Sequence, residues 1–305
     1  MRSIRPATIG VVAVAVAAGL WGMDALLRNP LAKSTQAATI VLGEHALLVL
    51  VFLPVIVAAL PALWRAGPRY VAAGIVVGAG SSALATILFT EAFVRGDPVT
   101  PVVLQKVQPL VVVLLAALIL GERPRPRFGL FLVGGMAGVW LTVFPHPFDV
   151  SLRGREPALL ALAAAGLWAL GTVLGRFLTL RLPFEQVTAV RFAFGLPASL
   201  VAVLVLGAPL AASWHDTAFI ALLALVTGLV ALLLYYYGLQ RTPASVAAIA
   251  ELTFPVVAIV VGYLAFDQTL NASQLAGVAL TSLVVTLLPV RAPTLVRARA
   301  LPSAA

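Results

Sequence analysis

The sequence predicts an all-α polytopic membrane protein with ten transmembrane helices, and three observations lead to this fold class. First, 62% of the 305 residues are hydrophobic and only 10% are charged, which is more apolar surface than a soluble protein of this size can bury. Second, the apolar residues fall into stretches of about 20 residues, the length of a membrane-crossing helix. Third, the connections between these stretches are short, so the sequence predicts no inserted soluble domain.

The predicted spans follow one another along the chain with few residues between them. They lie at 7–27, 38–63, 70–94, 98–120, 127–145, 157–178, 184–206, 217–239, 243–264 and 269–290. Only the connection "HPFDVSLRGREP" at 146–157 is long enough to divide the chain into halves. The basic start and apolar run of the opening residues also fit a signal peptide, an alternative that the internal repeat described below argues against.

The distribution of basic residues predicts a multi-pass protein of the cell membrane with both termini in the cytoplasm. With the N-terminus inside, most of the 20 basic residues face the cytoplasm, as the positive-inside rule requires. The exceptions are Arg28, Lys33, Arg95, Arg153 and Arg155, which face outward, and Lys106 and Arg191, which lie within spans. The net charge of +9 does not indicate a nucleic-acid partner, because these residues stand singly or in small groups between apolar runs.

The residue types needed for a cofactor or for catalysis are scarce. The chain has no cysteine and only 3 histidines, which are scattered, and it has neither an HExxH motif nor a nucleotide-binding loop of the Walker type. An intramembrane enzyme is therefore the least favoured of the functions considered. We expect no cofactor and no metal, and an ion gradient or the gradient of the substrate as the energy source.

An internal repeat divides the chain into two halves, predicted at 7–145 and 157–290. The sequence "AAGLW" occurs at 17–21 and again at 164–168, an offset of 147 residues that also separates Glu44 from Arg191. Later matches pair Pro98 with Pro243, Pro109 with Pro255, and Glu122 with Asp267. Five spans in each copy is an odd number, so we expect the second copy to enter the membrane upside down, as in many secondary transporters.

Several of these segments together resemble a known family. They are "GLWG" (19–22), "LQKVQPLVVVLLAALILGERP" (104–124), "GLFLVGGMAGVWL" (129–141), "RFAFGLP" (191–197) and "AELTFPVVAIVVGYLAFDQTL" (250–270). They resemble the EamA family of the drug/metabolite transporter superfamily over nearly the whole chain. The resemblance implies ten helices in two inverted five-helix halves, a central cavity, and export of amino acids, other metabolites or drugs. The second helix carries "GEH" (43–45) where the family often has an arginine, so the first half of the site is expected to be unusual.

Two predicted spans carry a charged residue beside a proline. Lys106 lies between Gln105 and Gln108, ahead of Pro109, and Glu251 lies ahead of Pro255. A proline removes a helical hydrogen bond, so we expect free carbonyls at Gln105 and at Glu251, with both prolines acting as hinges. Such backbone is tolerated at membrane depth where it lines a wet cavity, and intramembrane charges mark functional sites. The alternative is that the prolines only kink the helices for packing.

Depth along the predicted helices suggests two ion pairs. Lys106 and Glu251 each lie roughly 12 Å below their own membrane face, and Glu44 and Arg191 lie at matching levels. We therefore expect Glu44 to pair with Lys106 and Arg191 to pair with Glu251. These four residues, together with Gln105 and Gln108, are the predicted substrate-binding residues, unless both pairs are salt bridges that only fix helix packing.

The aromatic residues allow two interpretations. Trp21 and Trp168 share a position in the repeat and are predicted to bind substrate as part of the cavity wall, although tryptophan near a helix end is also a common interfacial anchor. The run "YYYG" at 235–238 is interpreted as an aromatic belt at the cytoplasmic surface.

The predicted function is that of a secondary membrane transporter, an exporter of small metabolites such as amino acids, held by a carboxylate at Lys106 or Arg191 and by an amine at Glu251 or Glu44. The alternative is an exporter of lipophilic cations, which needs an unpaired acid in mid-membrane. The expected partners are a small-molecule substrate and the lipid bilayer, with the protein as a monomer or homodimer.

Overall fold

The computed structural model describes residues 6–95, 104–124, 126–144, 146–149, 155–265 and 269–291, and all regular elements in these ranges are helical. Both predicted cytoplasmic termini lie outside the described residues, as do Pro98 and Asp267 of the predicted repeat. The first half contains α1 (Pro6–Gly22), α2 (Ala25–Leu31), α3 (Ala37–Ala66), α4 (Pro68–Ile75), α5 (Ala85–Arg95), α6 (Gln108–Ile119) and α7 (Pro126–Val143). The second half contains α8 (Arg155–Leu178), α9 (Phe184–Leu206), α10 (Trp214–Leu223), α11 (Ala231–Leu239), α12 (Ala244–Ala250), α13 (Thr253–Ala265) and α14 (Ala272–Arg291).

The helical character of the predicted spans is confirmed within the described residues. Seven helical segments are long and apolar enough to cross a membrane, and they are Pro6–Arg28, Ala37–Ala66, Pro68–Ala92, Arg155–Leu178, Phe184–Leu206, Trp214–Leu239 and Ala244–Ala265. Three shorter apolar helices, Gln108–Ile119, Phe128–Val143 and Ala272–Leu288, fall where the remaining spans are predicted. Residues 98–103 of the predicted fourth span are outside the described part of the chain.

Local sequence explains several helix boundaries. Gly67 has a φ of 108°, a backbone conformation that costs glycine nothing, and Pro68 then opens α4 at a position where its missing N–H is not needed. At the end of α9, Gly207 adopts the left-handed conformation with a φ of 62°, the common C-terminal stop of a helix. The side chain of Ser213 accepts a hydrogen bond from the backbone N–H of Asp216 and caps α10.

The two halves pack against each other in a pattern that is unchanged when they are exchanged. The first helix of the first half, α1, packs on α11 and α13, and the first helix of the second half, α8, packs on α5 and α6. Large contacts also join equivalent helices, α3 with α9 and α7 with α14, and α9 packs as well on the segment Val76–Leu84. The core therefore lies between the halves, and each half completes the other.

Close helix approach at two of these contacts depends on glycine. A Cβ atom at Gly78 would lie 2.6 Å from the carbonyl oxygen of Arg191, and one at Gly138 would clash with Thr281. Helix backbones can approach this closely only where the side chain is absent, which is the usual device for helix association in membranes.

A π-helical stretch interrupts the third span of each half. Val76–Leu84 joins α4 to α5, and Ala224–Val230 joins α10 to α11. The two stretches lie at the same offset as the repeated sequences. π-Helical turns are rare and occur often at functional sites, so their recurrence marks this level of the protein in both halves.

The fourth span of each half is a broken helix. Lys106 and Val107 form a turn immediately before α6, and Glu251 and Leu252 form a turn between α12 and α13. Each predicted intramembrane charge thus stands at the first residue of a break, a few residues ahead of its proline. The breaks place a polar side chain of each half at the interface between the halves.

Candidate functional site

One cavity between the halves has a volume of about 300 Å³, at the lower end of the range typical of small-molecule sites. All ten residues predicted as binding or hinge residues line it, namely Trp21, Glu44, Gln105, Lys106, Gln108, Pro109, Trp168, Arg191, Glu251 and Pro255. Helices of both halves form its wall. The structure therefore brings the predicted residues together, but it connects them differently from the predicted pairs.

The carboxylate of Glu251 is surrounded by neutral hydrogen-bond donors. The hydroxyl of Tyr235 donates to Oε1 at 2.8 Å, the hydroxyl of Thr172 donates to the same oxygen at 3.4 Å, and the amide of Gln108 donates to Oε2 at 3.1 Å. The predicted pair between Arg191 and Glu251 is therefore wrong. Counting depth along a helix does not reveal which face of that helix a residue occupies.

Lys106 lies against an aromatic ring. Its ammonium nitrogen is 5.1 Å from the ring centroid of Phe254, within the range of a cation–π interaction. Among the described residues, no carboxylate oxygen comes within the 4.0 Å of a salt bridge to this nitrogen. The predicted pair between Glu44 and Lys106 is therefore also wrong, and the lysine enters the cavity without an acidic partner from that part of the chain.

Glu44 instead binds an arginine that the sequence placed in an outer loop. Arg28 belongs to the short helix α2, and its guanidinium contacts Glu44 at 3.0 Å and Asp24 at 2.5 Å. All three residues line the cavity, and their side chains are 12 to 23% exposed. The loop assignment failed because a seven-residue helix is too short to be recognised as a separate element beside the apolar run of α1.

Arg191 is held by three groups other than carboxylates. Its Nε donates to the hydroxyl of Ser82 at 3.0 Å, Nη1 donates to the hydroxyl of Tyr236 at 3.3 Å, and Nη2 donates to the backbone carbonyl of Ser81 at 3.4 Å. Both serines belong to the π-helical stretch of the first half. The π-helical geometry thus presents two consecutive residues to one guanidinium.

Aromatic side chains complete the wall. The rings of Trp21 and Tyr235 are 5.1 Å apart, and those of Phe89 and Trp168 are 5.0 Å apart. The indole N–H of Trp21 donates to the carbonyl of Thr227 at 2.9 Å, within the second π-helical stretch. Both tryptophans therefore lie on the cavity.

The interpretation of "YYYG" as a surface belt is wrong for its first two residues. Tyr235 is 4% exposed and Tyr236 is fully buried, because both hydroxyls bind charged residues of the cavity. A run of tyrosines in sequence does not distinguish an interfacial belt from such a buried network.

The expected free carbonyl at Glu251 is also wrong. The backbone N–H of Phe254 donates to this carbonyl at 3.0 Å, three residues along the chain rather than four. Pro255 removes the ordinary helical partner, and the turn between α12 and α13 tightens to supply another. The proline therefore coincides with the break without leaving the Glu251 carbonyl unsatisfied.

A second buried carboxylate, Glu122, caps the first turn of α12. Its oxygens accept hydrogen bonds from the backbone N–H groups of Ala244 at 2.8 Å and Ser245 at 3.0 Å, and from the Ser245 hydroxyl at 2.6 Å. These are the first amides of α12, which have no partner within the helix. Arg176 holds the preceding turn through the carbonyls of Leu239 at 3.1 Å and Gln240 at 2.6 Å.

The exposed part of the cavity lies near Asp24 and Arg28. Both residues line the cavity and remain partly exposed, while Tyr236 and Leu239 are fully buried. Gly238, beside the turn held by Arg176, contacts α1 at Gly10, whereas Asp24 follows the other end of α1. The buried and the partly exposed residues therefore lie near opposite ends of α1.

Four residues of the site were not predicted from the sequence, namely Ser82, Thr172, Tyr235 and Arg28. Serine and threonine are common in membrane helices, so a single hydroxyl carries little signal. One signal could have found the two serines. Ser81 and Ser82 lie in a neighbouring predicted span, within about one helical turn of the depth of the intramembrane charges.

Apolar helices in two similar halves, around one cavity lined with buried charges, define a membrane protein of the transporter class. The chain belongs to the EamA-like transporter family, whose profile matches residues 8–144 and again residues 156–288. The resemblance noted from the sequence is confirmed by this double match. Membership of this family supports a transporter rather than the intramembrane enzyme considered from the sequence.

The proteins to which the chain is similar include a named transporter and a solved structure. It is 27% identical over 286 residues to the riboflavin transporter ImpX of Fusobacterium nucleatum, and the match covers 89% of this chain and 94% of that protein. A crystal structure of another protein matches with a TM-score of 0.73 at 20% identity, covering 94% of this chain and 97% of the other. At that identity the second match supports the fold alone.

Proposed function

We propose that this protein is a secondary transporter that exports small carboxylate-bearing metabolites, such as amino acids, from the cytoplasm by alternating access around the central cavity. The proposed topology has ten membrane-crossing helices in two inverted five-helix halves, with both termini cytoplasmic. One chain lines the whole cavity, so each copy carries a complete site in a monomer or a homodimer.

The balance of charges in the cavity carries this proposal. The basic side chains of Lys106 and Arg191 have no carboxylate partner among the described residues. A buried cation without a counter-ion is costly in a membrane, and a bound carboxylate would supply one. The carboxylate of Glu251 lies on the same cavity, and its negative charge would attract the amine of a zwitterion.

The same contacts disfavour export of lipophilic cations. Asp24 and Glu44 share Arg28, and Glu251 already accepts three hydrogen bonds. A lipophilic cation would also meet the basic side chains of Lys106 and Arg191, and it has no negatively charged group to offer them.

A second candidate substrate is a flat ring system such as riboflavin. Two observations favour it, namely the two aromatic pairs in the wall and the similarity to a riboflavin transporter. Riboflavin has no carboxylate, so it would use the aromatic pairs and leave Lys106 and Arg191 without a counter-ion. The two candidates therefore differ in which residues they require.

The test is flux through purified protein reconstituted in liposomes. Vesicles loaded with L-phenylalanine, L-glutamate, L-alanine, riboflavin or tetraphenylphosphonium would be compared with protein-free vesicles. We expect efflux of an amino acid that is abolished by Arg191→Gln and unchanged by Ser199→Ala, a control in the same helix whose hydroxyl bonds only the local carbonyl of Leu196.

Other outcomes would assign the function differently. Riboflavin flux that persists in Arg191→Gln would favour the flat-ring substrate. Flux of the phosphonium alone would overturn the assignment of the cavity to carboxylates. Uptake into, rather than efflux from, vesicles of defined orientation would overturn export.

A further inference from the structure

The guanidinium of Arg191 is fixed in place with part of its donor capacity unused. A guanidinium has five N–H groups, and three of them bind Ser82, Tyr236 and the Ser81 carbonyl. One N–H on each terminal nitrogen is left without a partner among the described residues. Two such donors match the two oxygens of a carboxylate.

The hydrogen bond from Arg191 to Ser82 has a direction that chemistry alone determines. Nε of arginine only donates, so the Ser82 oxygen accepts it. The single proton of the Ser82 hydroxyl must therefore go elsewhere. The other partner of this oxygen is Nε2 of His45 at 2.9 Å.

The tautomer of His45 follows from its second contact. Nδ1 of His45 is 2.8 Å from the backbone carbonyl of Val41, and a carbonyl only accepts, so Nδ1 carries the proton. In the neutral ring Nε2 is then the acceptor that the Ser82 proton requires. A protonated ring would point a second N–H at Ser82 and leave the hydroxyl proton without an acceptor.

Burial and close packing hold the ring of His45 in this arrangement. The ring is 3% exposed and lies edge-on to Phe192 at 5.6 Å between centroids. A Cβ atom at Gly195, one turn beyond Arg191 in α9, would clash with the ring. The histidine ring is therefore held in one position. Arg191 donates to Ser82, Ser82 donates to His45, and His45 donates to the carbonyl of Val41.

We propose that His45 and Ser82 are positioning residues that hold the Arg191 guanidinium ready for the carboxylate of the substrate. This inference rests on the proposed function, because it takes Arg191 as the group that binds substrate. An arginine side chain held in one rotamer loses less conformational freedom on binding than a free one. The hydrogen-bonded series from Arg191 through Ser82 to His45, called the relay below, thus raises affinity through its effect on Arg191.

The binding experiment uses two probes that differ only in the carboxylate, L-phenylalanine and L-phenylalaninamide. In purified protein, Ser82→Ala is expected to raise the Kd of L-phenylalanine about tenfold, the value of one hydrogen bond to a charged group. The Kd of the amide is expected to stay unchanged in the same variant. Ser199→Ala, a matched deletion of a buried hydroxyl in α9, leaves both values unchanged.

Two further comparisons separate positioning from general packing. His45→Gln keeps an acceptor for the Ser82 proton and is expected to bind L-phenylalanine more tightly than His45→Met, which has similar bulk and no such acceptor. In an Arg191→Gln background, Ser82→Ala is expected to have no additional effect, because the two residues act through one contact.

A measurement without ligand tests the relay itself. Nitrogen-15 NMR of protein labelled at histidine, with His45 assigned by loss of its signal in His45→Gln, is expected to show a neutral ring protonated at Nδ1. Ser82→Ala is expected to shift the Nε2 resonance of His45. A ring protonated at Nε2, or at both nitrogens, would overturn the relay.

The possible failures are distinguishable. If the wild-type protein does not bind L-phenylalanine, or if Arg191→Gln binds it equally well, the proposed function is wrong. If Arg191→Gln loses binding while Ser82→Ala and His45→Met keep the wild-type Kd, Arg191 binds substrate and only the positioning role is wrong.

Discussion

The two broken helices have the same backbone arrangement, but their charged side chains differ in sign and in contacts. Each has a two-residue turn that begins with a charged residue, Lys106 in the first half and Glu251 in the second. Glu251 accepts hydrogen bonds from Tyr235, Thr172 and Gln108. Lys106 faces the ring of Phe254 and keeps the donor capacity of its ammonium.

The difference concerns how many protein groups each charge contacts. The carboxylate of Glu251 accepts hydrogen bonds from residues of three helices, which tie these helices together around the cavity. The ammonium of Lys106 has no carboxylate partner among the described residues. Under the proposed function, the same backbone break would therefore stabilise helix packing in one copy and offer a cation to the substrate in the other.

The largest expected effect comes from removing the saturated carboxylate. Glu251→Leu removes the acceptor of three buried hydrogen bonds and is expected to lower the free energy of unfolding by about 3 kcal/mol or more. Glu251→Gln keeps an acceptor oxygen for Tyr235 and is expected to cost less. Reversible unfolding in mixed micelles measures the stability of both variants. If Glu251→Leu is as stable as the wild type, the hydrogen bonds of Glu251 do not stabilise the protein.

The next effect is on binding rather than on stability. Lys106→Met keeps the length of the side chain and loses its charge, so we expect the free energy of unfolding to change by less than about 1 kcal/mol. The Kd of L-phenylalanine is expected to rise at least tenfold, or about 1.4 kcal/mol. Lys106→Arg serves as the control that keeps the charge, and a Lys106→Met protein that binds normally would show that the free cation is not used.

A smaller effect tests which residue neutralises Glu44. A double-mutant cycle between Glu44→Gln and Arg28→Gln is expected to give a coupling energy of about 1 kcal/mol, because the pair is mostly buried and in direct contact. The cycle between Glu44→Gln and Lys106→Gln should be additive within about 0.3 kcal/mol. Coupling to Lys106 instead of Arg28 would contradict the geometry described for the first half.

The smallest perturbation tests whether the halves are inverted. The chain has no cysteine, so single cysteines at Pro124 and Thr269, in the connections that follow the two broken helices, can be labelled selectively. In intact cells an impermeant thiol reagent is expected to label Thr269→Cys and not Pro124→Cys, with transport unchanged in both. Labelling of both residues from the same side would show that the copies run in parallel.

Much of the site was predictable because charge is rare in a membrane-spanning sequence. Lys106, Glu251, Glu44 and Arg191 stand out in apolar spans, and the repeat places them at related positions, so their gathering in one cavity follows from composition and offset. The partners were not predictable in the same way. Arg28 reaches Glu44 through a short helix that hydropathy cannot separate from α1, and neutral donors such as Thr172 do not stand out among similar residues.

The limits of the spans could be predicted from the sequence, but the π-helical stretches within them could not. The span predicted at 184–206 coincides with α9, because Pro183 and Gly207 flank an unbroken apolar run. The π-helical stretches at Val76–Leu84 and Ala224–Val230 follow from tertiary packing around the cavity, and "VVGAGSSAL" and "ALVTGLV" share no pattern that announces them.

The cap that Glu122 places on α12 has a consequence for biosynthesis. Glu122 precedes Ala244 by 122 residues, so the ribosome delivers the carboxylate well before the amides that need it. When α12 is inserted, the Glu122 carboxylate that accepts from its first amides has already been synthesised. These N–H groups therefore need not remain unsatisfied in the hydrocarbon. A permuted gene that places the second half first would reverse this order, and the newborn α12 would depend on a carboxylate not yet made.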